Sequence, residues 1–383
     1  MHRPPFPSAV LATGGEAFSM RVAGFRQRFD AHLAGWLEER LATLGGETPE
    51  ARELGETVAG LARAGGKRLR PALVEATWRA CGGDGAPESE GVGLLALGVE
   101  ILHTYLLIHD DIMDHAALRR GRPTAHEAFA AAHRRDGLRG GDRDFGTSAA
   151  ILAGDLAHSW AQELLGRAVG AVSDPARRRA LGDLVAAMTA EVVAGQYLEI
   201  LVSRRGQASE EELARVLRMK SGRYSVERPV ELGALYAGAG EGLRVHLARC
   251  GRALGEAFQL QDDVLGTFGD PGEVGKPVAS DLEEGKMTFL VLHTLTAAPP
   301  AEAARLRTAL GRPGLAGEEV MELRRAIRES GALARVEGMI GERLETARAA
   351  LAAAAEAAPD AAGAAEGFAF LAGLVDDLAE RRW

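Results

Sequence analysis

Lysine is almost missing from this chain. Of its 45 basic residues only four are lysine, Lys67, Lys220, Lys276 and Lys286, and the other 41 are arginine. A compositional bias of the coding DNA is the simplest account of the excess, and it marks the four lysines that survive. Lysine is a compact, flexible point charge that binds phosphate well, whereas arginine is a rigid fork. Cysteine is nearly absent too. Cys81 and Cys250 alone exclude a disulfide framework and fit a reducing cytosol, so a cytoplasmic protein is expected. Aromatic residues make up only 5% while alanine is abundant, which favours helices packed through small side chains. No run of about 18 apolar residues occurs, so no transmembrane helix is expected. The start, Met1-His2-Arg3-Pro4-Pro5-Phe6-Pro7, has three prolines and no apolar core; it is no signal peptide, and residues 1–15 are expected to be a disordered tail. A net charge of −9 argues against nucleic acid as a partner.

Strand-like alternation is scarce, and helical periodicity recurs almost throughout. The pattern predicts an all-α fold: one large bundle of about a dozen helices spanning residues 16–383 as a single domain around a central cavity. The predicted helices are 16–44, 50–64, 68–81, 90–115, 124–133, 146–171, 175–204, 209–237, 241–268, 281–297, 316–330, 333–357 and 361–381. Arg134–Phe145 is polar and glycine-rich and reads as an exposed loop. Pro229 interrupts an otherwise helical stretch, Tyr224–Leu235, and predicts a kink.

Two acidic clusters stand out, Asp110-Asp111-Ile112-Met113-Asp114 and Gln261-Asp262-Asp263. Both lie in apolar, helical stretches, where packed carboxylates repel one another and resist burial. A divalent cation relieves that repulsion. Asp110 and Asp114 are four apart, so on a helix they stack on one face, an arrangement that suits Mg²⁺ sharing phosphate oxygens and water. Asp111 points about 100° away from that face. Basic residues follow each cluster: Arg119, Arg120 and Arg122 after the first, Lys276 and Lys286 after the second. Arg119 and Arg120 point to different sides and can serve two different phosphates. Gly65-Gly66-Lys67-Arg68-Leu69-Arg70-Pro71 is a further basic knot at a loop-to-helix junction, a ready anion site. His103 lies seven before Asp110, two turns away on the same helix face. Together these features point to one cavity that holds Mg²⁺ and a diphosphate.

With these residues assembled, the chain resembles the trans-isoprenyl diphosphate synthases, the polyprenyl synthetase family. The matching stretches are Gly65–Pro71, His103–Asp114 with Leu118–Thr124, Gly154-Asp155, Gly195-Gln196, Lys220-Ser221, Phe258–Asp263 and Gly275–Thr288, in the family's order. The resemblance implies condensation of isopentenyl diphosphate with allylic diphosphates (dimethylallyl, geranyl, farnesyl), with Mg²⁺ as cofactor, three ions when diphosphate is bound. It implies that Asp110, Asp111 and Asp114 form one metal-binding motif and that Asp262 and Asp263 form the second. Arg119, Lys220, Gln259, Lys276 and Lys286 would contact the allylic diphosphate. Lys67, Arg70, His103 and Arg120 would hold isopentenyl diphosphate, and Ser221 and Gln196 would line the reacting centre. Asp110, Asp111, Asp114, Asp262, Lys220 and Lys276 would carry the chemistry, with Lys220 and backbone carbonyls stabilising the allylic cation. The resemblance also implies a homodimer.

The second motif departs from the family, which has a third aspartate where Gly266 stands; Asp270 and Asp281 are the nearest candidates to contribute instead. Product length is read below the first motif. Tyr105 lies about 7.5 Å along the helix from Asp110, beside the smaller Leu106, and its ring can floor the pocket. One aromatic there, with no insertion between the aspartates, resembles short-chain members that make the C20 product geranylgeranyl diphosphate; the C15 farnesyl product is the alternative. A class I terpene synthase would not need Lys67, Arg70, His103 and Arg120, and a non-catalytic partner subunit would often lack the first-motif aspartates.

Overall fold

A computed structural model describes residues 15–85, 88–269 and 280–380. Lys276, Asp270 and the terminal Arg381-Arg382-Trp383 fall outside the described residues, as does most of the expected N-terminal tail. The architecture is all-α, as expected, with one two-stranded ribbon. The helices are α1 Gly15–Glu47, α2 Arg52–Arg63, α3 Leu69–Ala80, α4 Glu88–Met113, α5 Ala125–Arg135, α6 Asp142–Gly170, α7 Pro175–Arg205, α8 Glu210–Val216, α9 Arg228–Tyr236, α10 Glu241–Phe268, α11 Phe289–Ala297, α12 Pro300–Ala309, α13 Gly317–Glu329, α14 Ala332–Ala357 and α15 Ala364–Glu380. The ribbon pairs β1, Leu118–Arg119, with β2, Arg122–Pro123.

The helices fall into two compact units. One comprises Ser19–Glu75 and Gly85–Arg178; the other contains Ala76–Asp84 and the chain from Arg179. In the first unit α4 lies against α6 and α6 against α5. Small residues set these distances: a Cβ on Gly98 would come within 2.7 Å of Leu165, and one on Gly154 within 2.1 Å of the His109 ring. Leu95, Leu97, Ile101, Leu102 and Ile108 of α4 are fully buried with Leu164 and Leu165 of α6. Trp36 and Trp160 meet edge to face at 5.7 Å, the favoured geometry for aromatic pairs. By length and composition, Ser89–Met113 and Pro175–Arg205 could cross a membrane. Ser89–Met113, however, has 67% of its apolar window packed inside the protein.

In the second unit α10 packs against α14, against α9 and against a π-helical stretch, Leu217–Glu227, that joins α8 to α9. That stretch ends just before Pro229, the position where the sequence predicts a kink. Proline lacks an N–H and crowds the carbonyl four residues back. Here the wider π turns come first and Pro229 sits in the first turn of α9, where no donor is needed. Cys81 and Cys250 are free, and burial pushes both thiols up to about 12.

Three other boundaries differ from expectation. The Arg134–Phe145 loop shrinks to 136–141, because α5 runs to Arg135 and α6 starts at Asp142, whose carboxylate favours a helix N-terminus. The expected helix 281–297 is two pieces: one turn at Ser280–Glu283, a break at Gly285 with φ +73°, and α11, which Thr288 caps by accepting from the Val291 N–H. Residues 300–309 form a helix that the expected set omits, begun by prolines at its entry.

Candidate active site

The first acidic motif sits at the wrong end of a helix for anions. Asp110 and Asp111 occupy the last turn of α4, which carries no basic residue, and the helix dipole is negative there. Asp114 lies just past the helix end, yet its N–H still bonds the Asp110 carbonyl at 2.8 Å, which keeps the two one turn apart. The helix then stops through a left-handed His115, φ +53°, with the Ala116 N–H reaching back to the Asp111 carbonyl at 2.9 Å.

The chain next turns through the ribbon, whose tip residues Arg120 and Gly121 both have positive φ, 52° and 72°. Such a two-residue turn matches the natural strand twist. It sends the neighbouring arginines apart, as expected. Arg119 returns to Asp111, with Nε 2.7 Å and Nη2 2.6 Å from Oδ1. Arg120 donates to the Gly65 carbonyl, and its guanidinium would lie 2.9 Å from a Cβ on Gly66, so that glycine leaves the space it occupies. The ribbon thus brings the basic knot at 65–70 toward the region of the acidic motif.

Asp111 is 1% exposed. Burial pushes its carboxyl above the ordinary range, and the Arg119 guanidinium pulls against that. Its second oxygen, Oδ2, is buried with no hydrogen-bond partner. This carboxylate therefore first anchors Arg119 and presents one oxygen inward. His103, two turns earlier on α4, is held well below its usual 6.5 by burial and then by Arg70, Arg120, Arg119 and Arg68. Arg70, Arg119 and Arg120 thus lie close enough to this ring to oppose its protonation.

Arg68 plays a different part. It is buried and bonds Asp30 at 2.8 Å, Glu100 at 2.5 Å and the Ala62 carbonyl at 2.8 Å. These bonds pin the knot while Lys67 stays exposed beside it. Tyr105 packs against His109 and His158, each with ring centroids at 4.9 Å, and Leu106 is partly buried beside it.

The second unit assembles another set. Lys220 lies in the π-helical stretch and pairs with Glu199 of α7. Two glycines admit this stretch between helices. A Cβ on Gly195 would come within 2.4 Å of the Lys220 backbone nitrogen, and one on Gly255 within 2.3 Å of the Gly222 carbonyl. Gln196 and Ser221 adjoin these contacts in sequence and are partly buried. On α10, Gln259 donates to Asp263 at 2.7 Å. Asp263 is held well above the ordinary carboxylate range by burial first, then by Asp281, with Asp262 and Glu199 adding and Gln259 opposing. Lys286 lies 3.4 Å from Asp281 and 2.5 Å from Glu284. So Lys220, Gln259, Asp262, Asp263 and Lys286 converge, with Glu199, Asp281 and Glu284 among them.

Sequence reasoning gave Glu199, Glu100 and Asp30 no role, because a carboxylate that pairs with a distant lysine or arginine carries no local signature. The glycine signal at Gly195 was present, since only glycine fits so close an approach of two backbones.

The donors suit a hard divalent cation: carboxylates on a helix end, one of them with a buried, unpartnered oxygen. Among the described residues no group of three His, Cys, Asp or Glu side chains forms a ready metal cage. Mg²⁺ does not require one, because it keeps water and takes phosphate oxygens.

Comparison with known proteins agrees with this geometry. The polyprenyl synthetase family model matches residues 51–327. The geranylgeranyl diphosphate synthase of Saccharolobus solfataricus is 34% identical over 267 residues, covering 70% of this chain and 74% of the relative. The geranylfarnesyl diphosphate synthase of Aeropyrum pernix is 33% identical over 291 residues, covering 75% and 83%. The crystal structure of a geranylgeranyl pyrophosphate synthase from Corynebacterium glutamicum, complexed with isoprenyl diphosphate and magnesium, superposes with a TM-score of 0.85 at 33% identity, covering 94% of this chain and 99% of its own. With both acidic motifs and the basic groups beside them in place, the chain belongs to the polyprenyl synthetase family and is a prenyltransferase.

Proposed function

We propose that the chain condenses isopentenyl diphosphate head-to-tail with allylic diphosphates, and that its main product is geranylgeranyl diphosphate. The observation that carries this reading is the gathering of Arg70, Arg119 and Arg120 around His103 beside the first acidic motif. A terpene cyclase needs one diphosphate site, whereas these residues supply cationic groups for a second. Lys67, Arg70, His103 and Arg120 hold isopentenyl diphosphate. Asp110, Asp111, Asp114, Asp262 and Asp263 hold Mg²⁺, three ions with diphosphate bound. Bound Mg²⁺ supplies charge neutralisation to the diphosphate leaving group.

The protein's own groups do the rest. Lys220, Lys276, Lys286 and Arg119 offer positive charge where the leaving oxygen develops negative charge. Lys220 and Lys286 are paired with carboxylates, so each must exchange a carboxylate for phosphate when substrate arrives. Gln196 and Ser221 line the reacting carbons. The isopentenyl double bond attacks the allylic cation, forming one C–C bond. The proton lost from the adduct passes to the released diphosphate.

Tyr105 floors the pocket; its ring is fixed between His109 and His158. Tyr105→Ala is expected to lengthen the product beyond C20, and an unchanged length would remove Tyr105 from the floor. The chain acts as a homodimer, a reading supported by Val193 and Tyr197, exposed by 47% and 67% one turn apart on α7. The function is tested by incubating the purified chain with labelled isopentenyl diphosphate, an allylic diphosphate and Mg²⁺. Label should enter an acid-labile allylic product, and chelation should abolish this. Cyclic hydrocarbon released without isopentenyl consumption would overturn the reading.

A further inference from the structure

The second acidic motif has Asp262 and Asp263 but glycine at 266, one helical turn after Asp262 and therefore on the same face of α10. The space that a side chain at 266 would enter is not empty. A Cβ built on Gly266 would lie 2.1 Å from Oδ2 and 2.9 Å from Cγ of Asp281. Asp281 belongs to the single turn Ser280–Glu283, so a carboxylate from another segment stands where the helix itself supplies none.

Its position is built rather than incidental. The Lys286 N–H bonds the Asp281 carbonyl at 2.9 Å, and the Gly285 and Gly311 N–H groups bond the Leu282 carbonyl at 3.1 and 2.8 Å. Leu282 is 1% exposed and anchors the turn in the core. The Asp281 side chain is 13% exposed and faces Asp263 closely enough to disfavour its ionisation. Lys286 lies 3.4 Å from it as a counter-charge.

We propose that Asp281 supplies the third carboxylate of the second acidic motif, standing in for the aspartate that Gly266 replaces. The inference rests on the prenyltransferase reading and deepens it. Two consequences follow. Gly266 must remain small while Asp281 is present. And because Lys286 is the partner of Asp281, a diphosphate that draws Lys286 away frees the carboxylate to take a cation. Metal and diphosphate therefore bind together at this motif, not in turn.

The test uses the full chain, with Mn²⁺ as a spin probe and inorganic pyrophosphate as the diphosphate. Electron paramagnetic resonance counts bound Mn²⁺, and circular dichroism confirms helical content. Asp281→Asn keeps the shape and removes the charge; it should weaken pyrophosphate-dependent Mn²⁺ binding by about tenfold. Asp281→Ala opens the space beside 266. Adding Gly266→Asp to it returns a carboxylate to the helix and should restore most of the lost binding, whereas Gly266→Asp in the native background should weaken it. Asp281→Asn titrating like the native protein would overturn the proposal, as would a folded Gly266→Asp/Asp281→Ala double variant with no recovery. If the native chain itself bound no Mn²⁺ with pyrophosphate and made no prenyl product, the prenyltransferase reading would fall instead.

Discussion

The two acidic motifs solve the same electrostatic problem in opposite ways. At α4 the buried Asp111 has an arginine on it, Arg119 at 2.6 Å, so part of the charge is neutralised within the fold. At α10 Asp263 has a neutral amide, Gln259, and three further carboxylates nearby, Asp281, Asp262 and Glu199. Lys220 and Lys286 are committed to Glu199 and to Asp281 with Glu284. The first motif is thus organised before substrate arrives, whereas the second is left with excess negative charge. That excess is what binds a cation, and without one it is a source of instability.

This contrast can be broken most severely at Arg119. Arg119→Leu leaves the Asp111 charge buried without its partner and should cost about 3–5 kcal/mol of stability. Adding Asp111→Leu should recover much of that, since an apolar pair of similar volume often replaces a buried ion pair without loss. Urea unfolding of the single and double variants measures both. A single variant as stable as the native protein would mean that Arg119 does not hold Asp111.

The next largest effect is expected at the glycines that seat the π-helical stretch. A Cβ at Gly195 or Gly255 meets backbone at 2.4 or 2.3 Å, and backbone cannot rotate away. Gly195→Ala and Gly255→Ala should each cost about 1–3 kcal/mol, and both should depress turnover by displacing Lys220. Thermal melts and steady-state rates separate the two effects, and unchanged melts would show that the approach is looser than described.

At the second motif the sign reverses. A carboxyl whose folded pKa is raised contributes stability that is complete below its unfolded pKa and lost as pH rises through the folded one. The metal-free protein therefore carries a penalty at Asp263 at neutral pH and above. Asp263→Asn removes the charge and keeps the Gln259 contact, so the metal-free variant should gain on the order of 1 kcal/mol while losing catalysis. A variant less stable than the native protein would show that Asp263 is already satisfied.

The smallest effect belongs to His103. Its lowered pKa gives stability that is complete above about 6.5 and lost as pH falls through the lowered value. His103→Gln should flatten the acid side of the stability curve below that pH. A curve identical to the native one would place the acid sensitivity elsewhere.

How much of this could be read from sequence divides along the same lines. The acidic clusters, the arginines after the first and the all-helical fold are local patterns, and the helices at 88–113 and 241–268 fall close to expectation. So does the divergence of Arg119 and Arg120, although the left-handed turn at Arg120 produces it. What sequence hid is non-local. Gly266 reads as a loss with Asp270 and Asp281 as candidates to offset it, and the fold sets the Asp281 carboxylate beside it. Lys220 reads as a free phosphate ligand, but in the fold it already has Glu199. The break at Gly285 carries only a lone glycine between Glu284 and Lys286 as its signal, and the apolar residues beyond it extend the helical pattern across the gap. The helix at 300–309 had its signal, prolines at entry and Glu302 in the first turn, but it is too short for periodicity to register.

The measurement that bears most directly on the whole account is the length of the alcohol released from the product. The native chain would be given isopentenyl diphosphate and Mg²⁺ with, separately, C5, C10 and C15 allylic diphosphates, and the products dephosphorylated and sized. A linear C20 alcohol from all three starters is the predicted result. A C15 alcohol would keep the chemistry and contradict the depth set by Tyr105, and no elongation from any starter would contradict the prenyltransferase account itself.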